Sequence, residues 1–179
     1  MTLEKRIAAF SELGRFLSQF QPERIEKKDQ VLMNDLFFDP FSLLIERAHE
    51  SNGWFTKDNV LNAVHSWAVL LNEENLNNWT SRYKLSITKP RTVGVIMAGN
   101  IPLVGFHDFI SVLIAGHKVR IKQSSSDVRL LPMLVKYLEY YDAEFKELIS
   151  FVDDRLEGFD AVIATGSNNT ARYFEYYFG

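Results

Sequence analysis

The feature that most constrains the fold is a change of sequence pattern near residue 90. Beyond it, short apolar runs alternate with longer stretches whose apolar residues recur at helical spacing. The runs that we predict to be strands cover residues 92–97, 118–122, 149–152 and 160–165. Strands that alternate with helices favour a parallel sheet of the α/β class, because a parallel pair needs a long crossover between its strands. We therefore predict a Rossmann-like dinucleotide-binding region over residues 91–179.

Helices are predicted between these strands. One runs over about residues 102–115 and is closed by Gly116, because glycine readily adopts the left-handed conformation at a helix end. Another follows the apolar spacing of residues 131–138. A last helix is predicted to begin at Gly166-Ser167.

Residues 1–90 have the apolar spacing of helices throughout and form a separate helical N-terminal region in this prediction. A first helix covers residues 3–20. Asp39-Pro40 predicts the start of a second helix, with Asp as the cap and Pro in the first turn. Asn52-Gly53 predicts its end, and Thr56 predicts the cap of a third helix.

Composition argues against several classes of function. The net charge is -3 and no basic stripe is present, so nucleic acid is not an expected partner. The absence of cysteine removes disulfides, thiolate metal sites and cysteine nucleophiles from the chain. The four histidines lack a metal-ligand spacing, so no metal site is predicted. No apolar stretch reaches the roughly 18 residues of a membrane span, and we expect a cytoplasmic protein.

The residues that follow each strand are the candidate ligand contacts, because parallel sheets bind ligands at the carboxyl ends of their strands. Asn100 lies in the GNIP turn after the first strand. Its side-chain amide is suited to donate a hydrogen bond to a developing oxyanion. The alternative is a turn that only caps the following helix.

Two further groups follow the second and fourth strands. Lys122, Ser124 and Ser125 offer a cation and hydroxyls that suit a ribose or a phosphate, or else form a solvated loop. Thr165-Gly166-Ser167 precedes a predicted helix, whose free N–H groups favour an anion such as a pyrophosphate. The alternative for Ser167 is an ordinary helix cap. Neither common glycine-rich phosphate-binding motif is present.

The segments VGVIMAGNIPLVGFHDFISVLIAGHKVRIKQSSSD and GFDAVIATGSNNTARYFEYYFG, with a helix between them, resemble the aldehyde dehydrogenase superfamily. The resemblance is closest to its acyl-CoA reductase (LuxC-like) branch, which makes aldehydes from acyl thioesters. It covers about residues 92–179 and implies an incomplete dinucleotide-binding sheet of the aldehyde dehydrogenase type. It also leaves formation of a homo-oligomer open.

The resemblance implies a role for each candidate residue. Asn100 matches the amide that steadies the oxyanion, Lys122 matches the lysine on the adenosine ribose, and Gly166 with Ser167 matches the pyrophosphate contact. Ser125 stands where many NAD-preferring relatives carry a glutamate. A carboxylate there would repel a 2′-phosphate and a serine would not. We therefore expect NADPH as the cofactor, with NADH as the alternative.

The chain differs in one respect from the family that it resembles. The family's reaction uses a cysteine thiolate, and this chain has no cysteine. We expect that cysteine beyond Gly179, so that an acyl-CoA or other acyl thioester reacts only on the complete protein and this chain alone is inactive. The alternatives are a non-catalytic nucleotide-binding or assembly module and a purely structural role. Codons that continue past residue 179 into a cysteine-containing region would favour the enzyme, and a stop codon would favour a module.

Overall fold

The computed structural model describes residues 1–85 and 89–166. In this part of the chain, helices and strands follow the order of an α/β protein. The helices are α1 (Leu3–Leu17), α2 (Asn34–Arg47), α3 (Lys57–Leu70), α4 (Glu73–Thr80), α5 (Phe106–Ile114) and α6 (Leu130–Tyr141). The strands are β1 (Thr92–Ile96), β2 (Lys118–Lys122), β3 (Ile149–Phe151) and β4 (Ala161–Ala164), and two 3-10 helices cover Ala48–Glu50 and Ala143–Glu147. No helix among these is long and apolar enough to cross a membrane.

The four described strands form one parallel sheet in the order β3-β2-β1-β4. Val95 of β1 lies beside Ile121 of β2 on one side and Ile163 of β4 on the other. The predicted α/β fold with a parallel sheet is confirmed, and the bounds of the strands lie within two residues of the predicted runs. Because the strands are parallel, the loops that follow β1, β2 and β4 emerge at one edge.

The core lies on the face of the sheet that α5 covers. Alternate strand residues such as Val95 and Ile121 are fully buried there, and α5 packs on β1 and β2. The opposite face is covered by the segment between β3 and β4, where Leu156 lies against Gly94.

Helix α1 joins the helical first half to the sheet region. The Phe10 ring meets the rings of Phe109 and Phe145 edge-on, with centroids 6.2 Å apart in both pairs. Arg6 donates a 3.0 Å hydrogen bond from Nη1 to the carbonyl of Leu113, near the end of α5. These contacts bury α1 between the other helices. The predicted boundary near residue 90 lies next to residues 86–88, outside the described residues.

The predicted bounds of α2 were wrong at both ends. Asp39-Pro40 does not start this helix, which begins at Asn34 and carries Pro40 in its interior. Burial of Phe41 and Ile45 holds the helix through the proline, which is exposed, so water can reach the carbonyl that the missing N–H leaves unpaired. Gly53 does not close the helix in the left-handed conformation, and α2 ends instead in the 3-10 turn after Arg47.

The predicted start of α5 at Pro102 was also wrong. Leu103 has a positive φ of 57°, which breaks the helical path, and α5 begins at Phe106. Such a conformation is rare for leucine, and burial of its side chain offsets the cost. The predicted helix end is confirmed, because Gly116 has a φ of 90°. The Thr56 cap of α3 is confirmed as well, since its side chain accepts a hydrogen bond from the N–H of Asn59.

Candidate functional site

The loops after β1, β2 and β4 border one cleft of about 860 Å³, which we call the rim cleft. Most of the residues predicted as ligand contacts line it. These are Asn100, Lys122, Ser124, Thr165 and Gly166. Ser125 lines a neighbouring cleft instead, and Ser167 lies outside the described residues.

The loops after β1 and β2 touch at Gly99. A Cβ atom at this position would lie 2.5 Å from Ser124 Oγ, closer than real side chains approach, so only glycine fits. Asn52 holds the same two loops from the helical half of the chain. Its Nδ2 donates to the carbonyl of Gly99 at 2.8 Å and to that of Ser126 at 3.4 Å. The sequence pattern indicated Asn52 only as part of a helix end, so its bridging contact was missed.

The side chain of Asn100 is exposed at the rim cleft. Among the described residues, its amide has no hydrogen-bond partner. A side-chain amide in this position has both N–H groups available for a ligand oxygen. The geometry therefore allows the predicted hydrogen bond to a carbonyl or oxyanion. Within the described part of the chain, the side-chain oxygen of Asn100 accepts no capping hydrogen bond either.

Lys122 lies at the carboxyl end of β2 and spans two clefts. Its Nζ donates to the backbone carbonyl of Asp153, which follows β3, while its own carbonyl accepts from the N–H of Met97 at 3.0 Å. The Asp153 contact uses one of three N–H bonds of the ammonium group. Two donors and the positive charge therefore remain at the boundary of both clefts for a ligand hydroxyl or phosphate.

Thr165 is fixed by two hydrogen bonds. Its N–H donates to the carbonyl of Ile96 at 3.0 Å, and its hydroxyl donates to the Asp108 carboxylate of α5 at 2.6 Å. The hydroxyl proton is therefore committed to Asp108, and a ligand can use only the hydroxyl lone pairs. The role of Asp108 was missed, because nothing in its neighbourhood in the sequence indicates a partner 57 residues away.

The neighbouring cleft, of about 590 Å³, lies between the ends of β2 and β3, and we call it the side cleft. One group of lining residues is polar and consists of Lys122, Gln123, Ser125 and Asp153. The other is apolar and consists of Val128, Pro132, Phe151 and Val152. A ligand with a flat apolar part and a hydroxylated part fits this division.

Asp127 lines a small cavity together with Met97, Ala98 and Gln123, three residues that also line the rim cleft. Its Oδ2 accepts a 3.4 Å hydrogen bond from the N–H of Leu103, and its backbone carbonyl accepts one from Gln123 Nε2 at 2.8 Å. Burial disfavours the charged carboxylate and raises the pKa of Asp127 to about 6. This side chain links the turn after β1 to the loop after β2.

The full sequence matches the model of one protein family, acyl-CoA reductase (LuxC), over residues 18–175. The match begins well before residue 92, so the likeness also extends over most of the helical half. No curated protein and no solved structure matches the chain. Because the family model covers most of its length, the chain belongs to the acyl-CoA reductase (LuxC) family.

Proposed function

We propose that this chain provides the cofactor-binding and carbonyl-binding part of an acyl-CoA reductase, which converts an acyl thioester to an aldehyde. The observation that carries the proposal is the meeting of Asn100, Lys122 and Thr165 in one cleft at the carboxyl ends of parallel strands. Cofactors of α/β proteins bind at this edge of the sheet. Membership of the acyl-CoA reductase family supplies the substrate class.

The two adjoining clefts fit the two halves of a nicotinamide dinucleotide. The adenosine half would lie in the side cleft, with its base against Phe151 and Val128, whose apolar side chains are partly exposed. Lys122 would hold the ribose, and the hydroxyls of Ser124 and Ser125 lie on the loop beside it. The nicotinamide half would then lie in the rim cleft.

The pyrophosphate would lie near the end of β4. Gly166 lines the rim cleft there, directly after Thr165. We propose that Ser167, which follows them, donates to the pyrophosphate together with backbone N–H groups. Ser167 lies outside the described residues, so this contact is carried by the sequence pattern.

NADPH is the proposed cofactor, with NADH as the alternative. Ser125 is neutral and Lys122 is positive, so both tolerate a 2′-phosphate on the adenosine ribose. Asp153 lines the same cleft, and its carboxylate would oppose that phosphate. We propose that the charge of Lys122 outweighs that of Asp153 and so favours NADPH.

Asn100 would act on the acyl carbonyl. Its free amide would donate to the thioester oxygen and stabilise the negative charge that develops there during attack on the acyl carbon. When bound, NADPH supplies the hydride that reduces this carbon. We propose that the attacking group is a cysteine thiolate, as the resemblance implies. It would displace the carrier, which leaves as a free thiol, and the acyl group would remain on the cysteine as a thioacyl-enzyme. The 179 residues contain no cysteine, so they hold the reactants without supplying this group.

A second candidate is a nucleotide-binding module that has no chemistry of its own. Both candidates place a nucleotide in the same two clefts. They differ in whether the carbonyl-binding amide of Asn100 is used, because only a reductase needs to bind a thioester beside the nucleotide.

The proposal is tested by calorimetric titration of the chain with NADPH and NADH. Lys122→Met should weaken binding of both by about tenfold or more, because it removes a charge-assisted hydrogen bond. Lys118→Met is the matched control, since Lys118 is an exposed lysine at the opposite end of the same strand. Equal effects of the two substitutions, or no nucleotide binding by the unmodified chain, would overturn the proposal. Tighter binding of NADH than of NADPH would overturn the cofactor assignment alone.

A further inference from the structure

A groove of about 380 Å³ runs between α3 and the turn after β1, and we call it the α3 groove. Its lining residues come from both sides. They are Trp54, Asn59, Asn62, Ala63, Ser66, Asn100, Ile101 and Pro102. Trp54 and Asn100 also line the rim cleft. The groove and the cleft therefore adjoin at the side chain that we assign to the thioester carbonyl.

The two walls of the α3 groove differ in chemistry. The α3 wall presents Asn59, Asn62 and Ser66, which are spaced by three and four residues and so lie on one face of the helix. The opposite wall is formed by Ile101 and Pro102 and is apolar. A ligand that fills this groove must offer hydrogen-bonding groups along one side and apolar groups along the other.

The polar wall still has hydrogen-bonding capacity. Asn59 Nδ2 donates to the carbonyl of Trp54 at 2.9 Å, which leaves its Oδ1 as an acceptor. Asn62 is exposed, and its side-chain amide has no partner within residues 1–85 and 89–166. Ser66 donates its hydroxyl proton to the Asn62 carbonyl of its own helix and retains its lone pairs. The wall thus offers both donors and acceptors, at intervals of about one helical turn.

Trp54 is held where the groove and the cleft adjoin. Its N–H donates to Asn52 Oδ1 at 3.0 Å, and its carbonyl accepts from Asn59, so its backbone is fixed on both sides. The residue is nevertheless 76% exposed. A large aromatic side chain that is presented to solvent from a fixed backbone is a common feature of binding surfaces.

We propose that the α3 groove binds the amide-bearing pantetheine arm of the acyl thioester, and that Asn62 is a specificity-determining residue for it. This inference rests on the proposed function, because it requires the thioester carbonyl at Asn100. The arm carries two amides separated by two methylene groups, and a pair of methyl groups further along. The amides match the polar wall and the methyl groups match the wall of Ile101 and Pro102.

The hydrocarbon acyl chain fits the α3 groove less well. It would cover Asn59 and Asn62 without offering a hydrogen bond, and burial of unpaired amides is costly. Acyl-coenzyme A and acyl carrier protein both supply the pantetheine arm. The shared arm is therefore the ligand that the groove selects, whichever carrier presents it.

The test uses decanoyl-pantetheine as the probe, with calorimetry for affinity and the fluorescence of Trp54 as a local signal. The thioester stays intact, because the chain has no cysteine to accept the acyl group. Asn62→Leu should weaken binding by about fivefold to tenfold, the equivalent of one lost hydrogen bond. Asn78→Leu, the same change at an exposed position of α4, should change it by less than about twofold. Trp54→Phe should abolish the fluorescence change.

Several outcomes separate this inference from the proposed function. Unchanged or tighter binding of decanoyl-pantetheine to Asn62→Leu would overturn the groove assignment, since a site for the acyl chain gains from leucine. NADPH affinity should be unaffected by Asn62→Leu and reduced by Lys122→Met. Failure of NADPH to bind, with the Asn62 effect retained, would overturn the cofactor part of the proposed function and leave the thioester assignment at Asn100 and the α3 groove standing. Comparison of decanoyl-coenzyme A with decanoyl acyl carrier protein then identifies the carrier as the one that binds more tightly.

Discussion

Thr165 at the end of β4 and Asp108 on α5 are joined by a 2.6 Å hydrogen bond, in which the threonine hydroxyl is the donor. The bond fixes the residue that precedes Gly166 to a helix that is packed on the sheet. The position of the last strand end at the rim cleft therefore depends on a side chain outside the cleft lining.

We expect Thr165→Val to destabilise the chain by about 1–2 kcal/mol, because it leaves the partly buried Asp108 carboxylate without its donor. Thr165→Ser keeps the hydroxyl and should retain most of the stability. Urea unfolding of the three proteins measures the difference. A Thr165→Val protein as stable as the original would show that the bond contributes nothing.

Gly99→Ala should weaken NADPH binding and lower stability by about 1–3 kcal/mol, because the added methyl group meets Ser124 and forces the two loops apart. Ser124→Gly in the same chain should restore part of both losses. Gly53→Ala is the control, since among the described residues no atom beyond its two chain neighbours lies within 4 Å of a Cβ atom there. Thermal unfolding and calorimetry provide the measurements. Equal effects of the two alanine substitutions would contradict the close approach.

Asp127 should make the stability of the chain depend on pH. Burial raises its pKa from 3.8 to about 6, so the folded state favours the protonated carboxyl. The folded state is therefore most stable, as far as this group is concerned, below pH 3.8, where the carboxyl is protonated. This stability is lost as the pH rises through about 6, because the buried carboxyl must then ionise. Asp127→Asn removes this titration. The variant should therefore gain stability relative to the original chain between pH 4 and pH 7.5, by up to about 3 kcal/mol. Parallel unfolding free energies across this range would contradict the prediction.

His117 should also make the stability of the chain depend on pH, but its contribution should be lost as the pH falls, opposite to that of Asp127. Its Nδ1 accepts a hydrogen bond from the N–H of Arg91 at 3.2 Å, which requires the neutral ring. Burial, with the nearby charges of Arg91 and Arg6, lowers the pKa of His117. Its contribution to stability is present above pH 6.5 and is lost as the pH falls through the lowered value.

The measurement compares the original chain with His117→Asn at pH 7.5 and pH 5, where only the original should lose this contribution. Asn offers an oxygen near the position of Nδ1, so the backbone N–H keeps an acceptor. His49→Asn, at an exposed histidine, is the control. A variant whose stability follows the original at both pH values would show that the hydrogen bond does not depend on the protonation state of the ring.

Sequence pattern predicted the elements whose causes are local. Short apolar runs correctly predicted the strands, the Thr56 hydroxyl correctly predicted a helix cap, and Gly116 correctly predicted a helix end. The predicted helix starts at Asp39-Pro40 and Pro102 were wrong because burial of nearby apolar side chains outweighed local preference. Local signals carry no information about such burial.

The candidate site was predictable in its chemistry and not in its contacts. The rule that ligands bind after parallel strands selected Asn100 and Lys122. The partners that hold the site, Asn52, Asp108 and Asp153, lie 47, 57 and 31 residues from the groups they contact. Contacts over such distances follow from the assembled fold, and no spacing in the sequence indicates them.

The two hydrogen bonds that Asn52 donates have a consequence for cooperativity. A shift of the segment that carries Trp54 would pull on the carbonyls of Gly99 and Ser126 together, and so on the loops after β1 and β2. Occupation of the α3 groove and of the rim cleft should therefore be energetically linked through one carboxamide. By thermodynamic reciprocity, if the ligand in the α3 groove changes the affinity of the rim cleft for its ligand by some factor, the rim-cleft ligand changes the affinity of the α3 groove by the same factor.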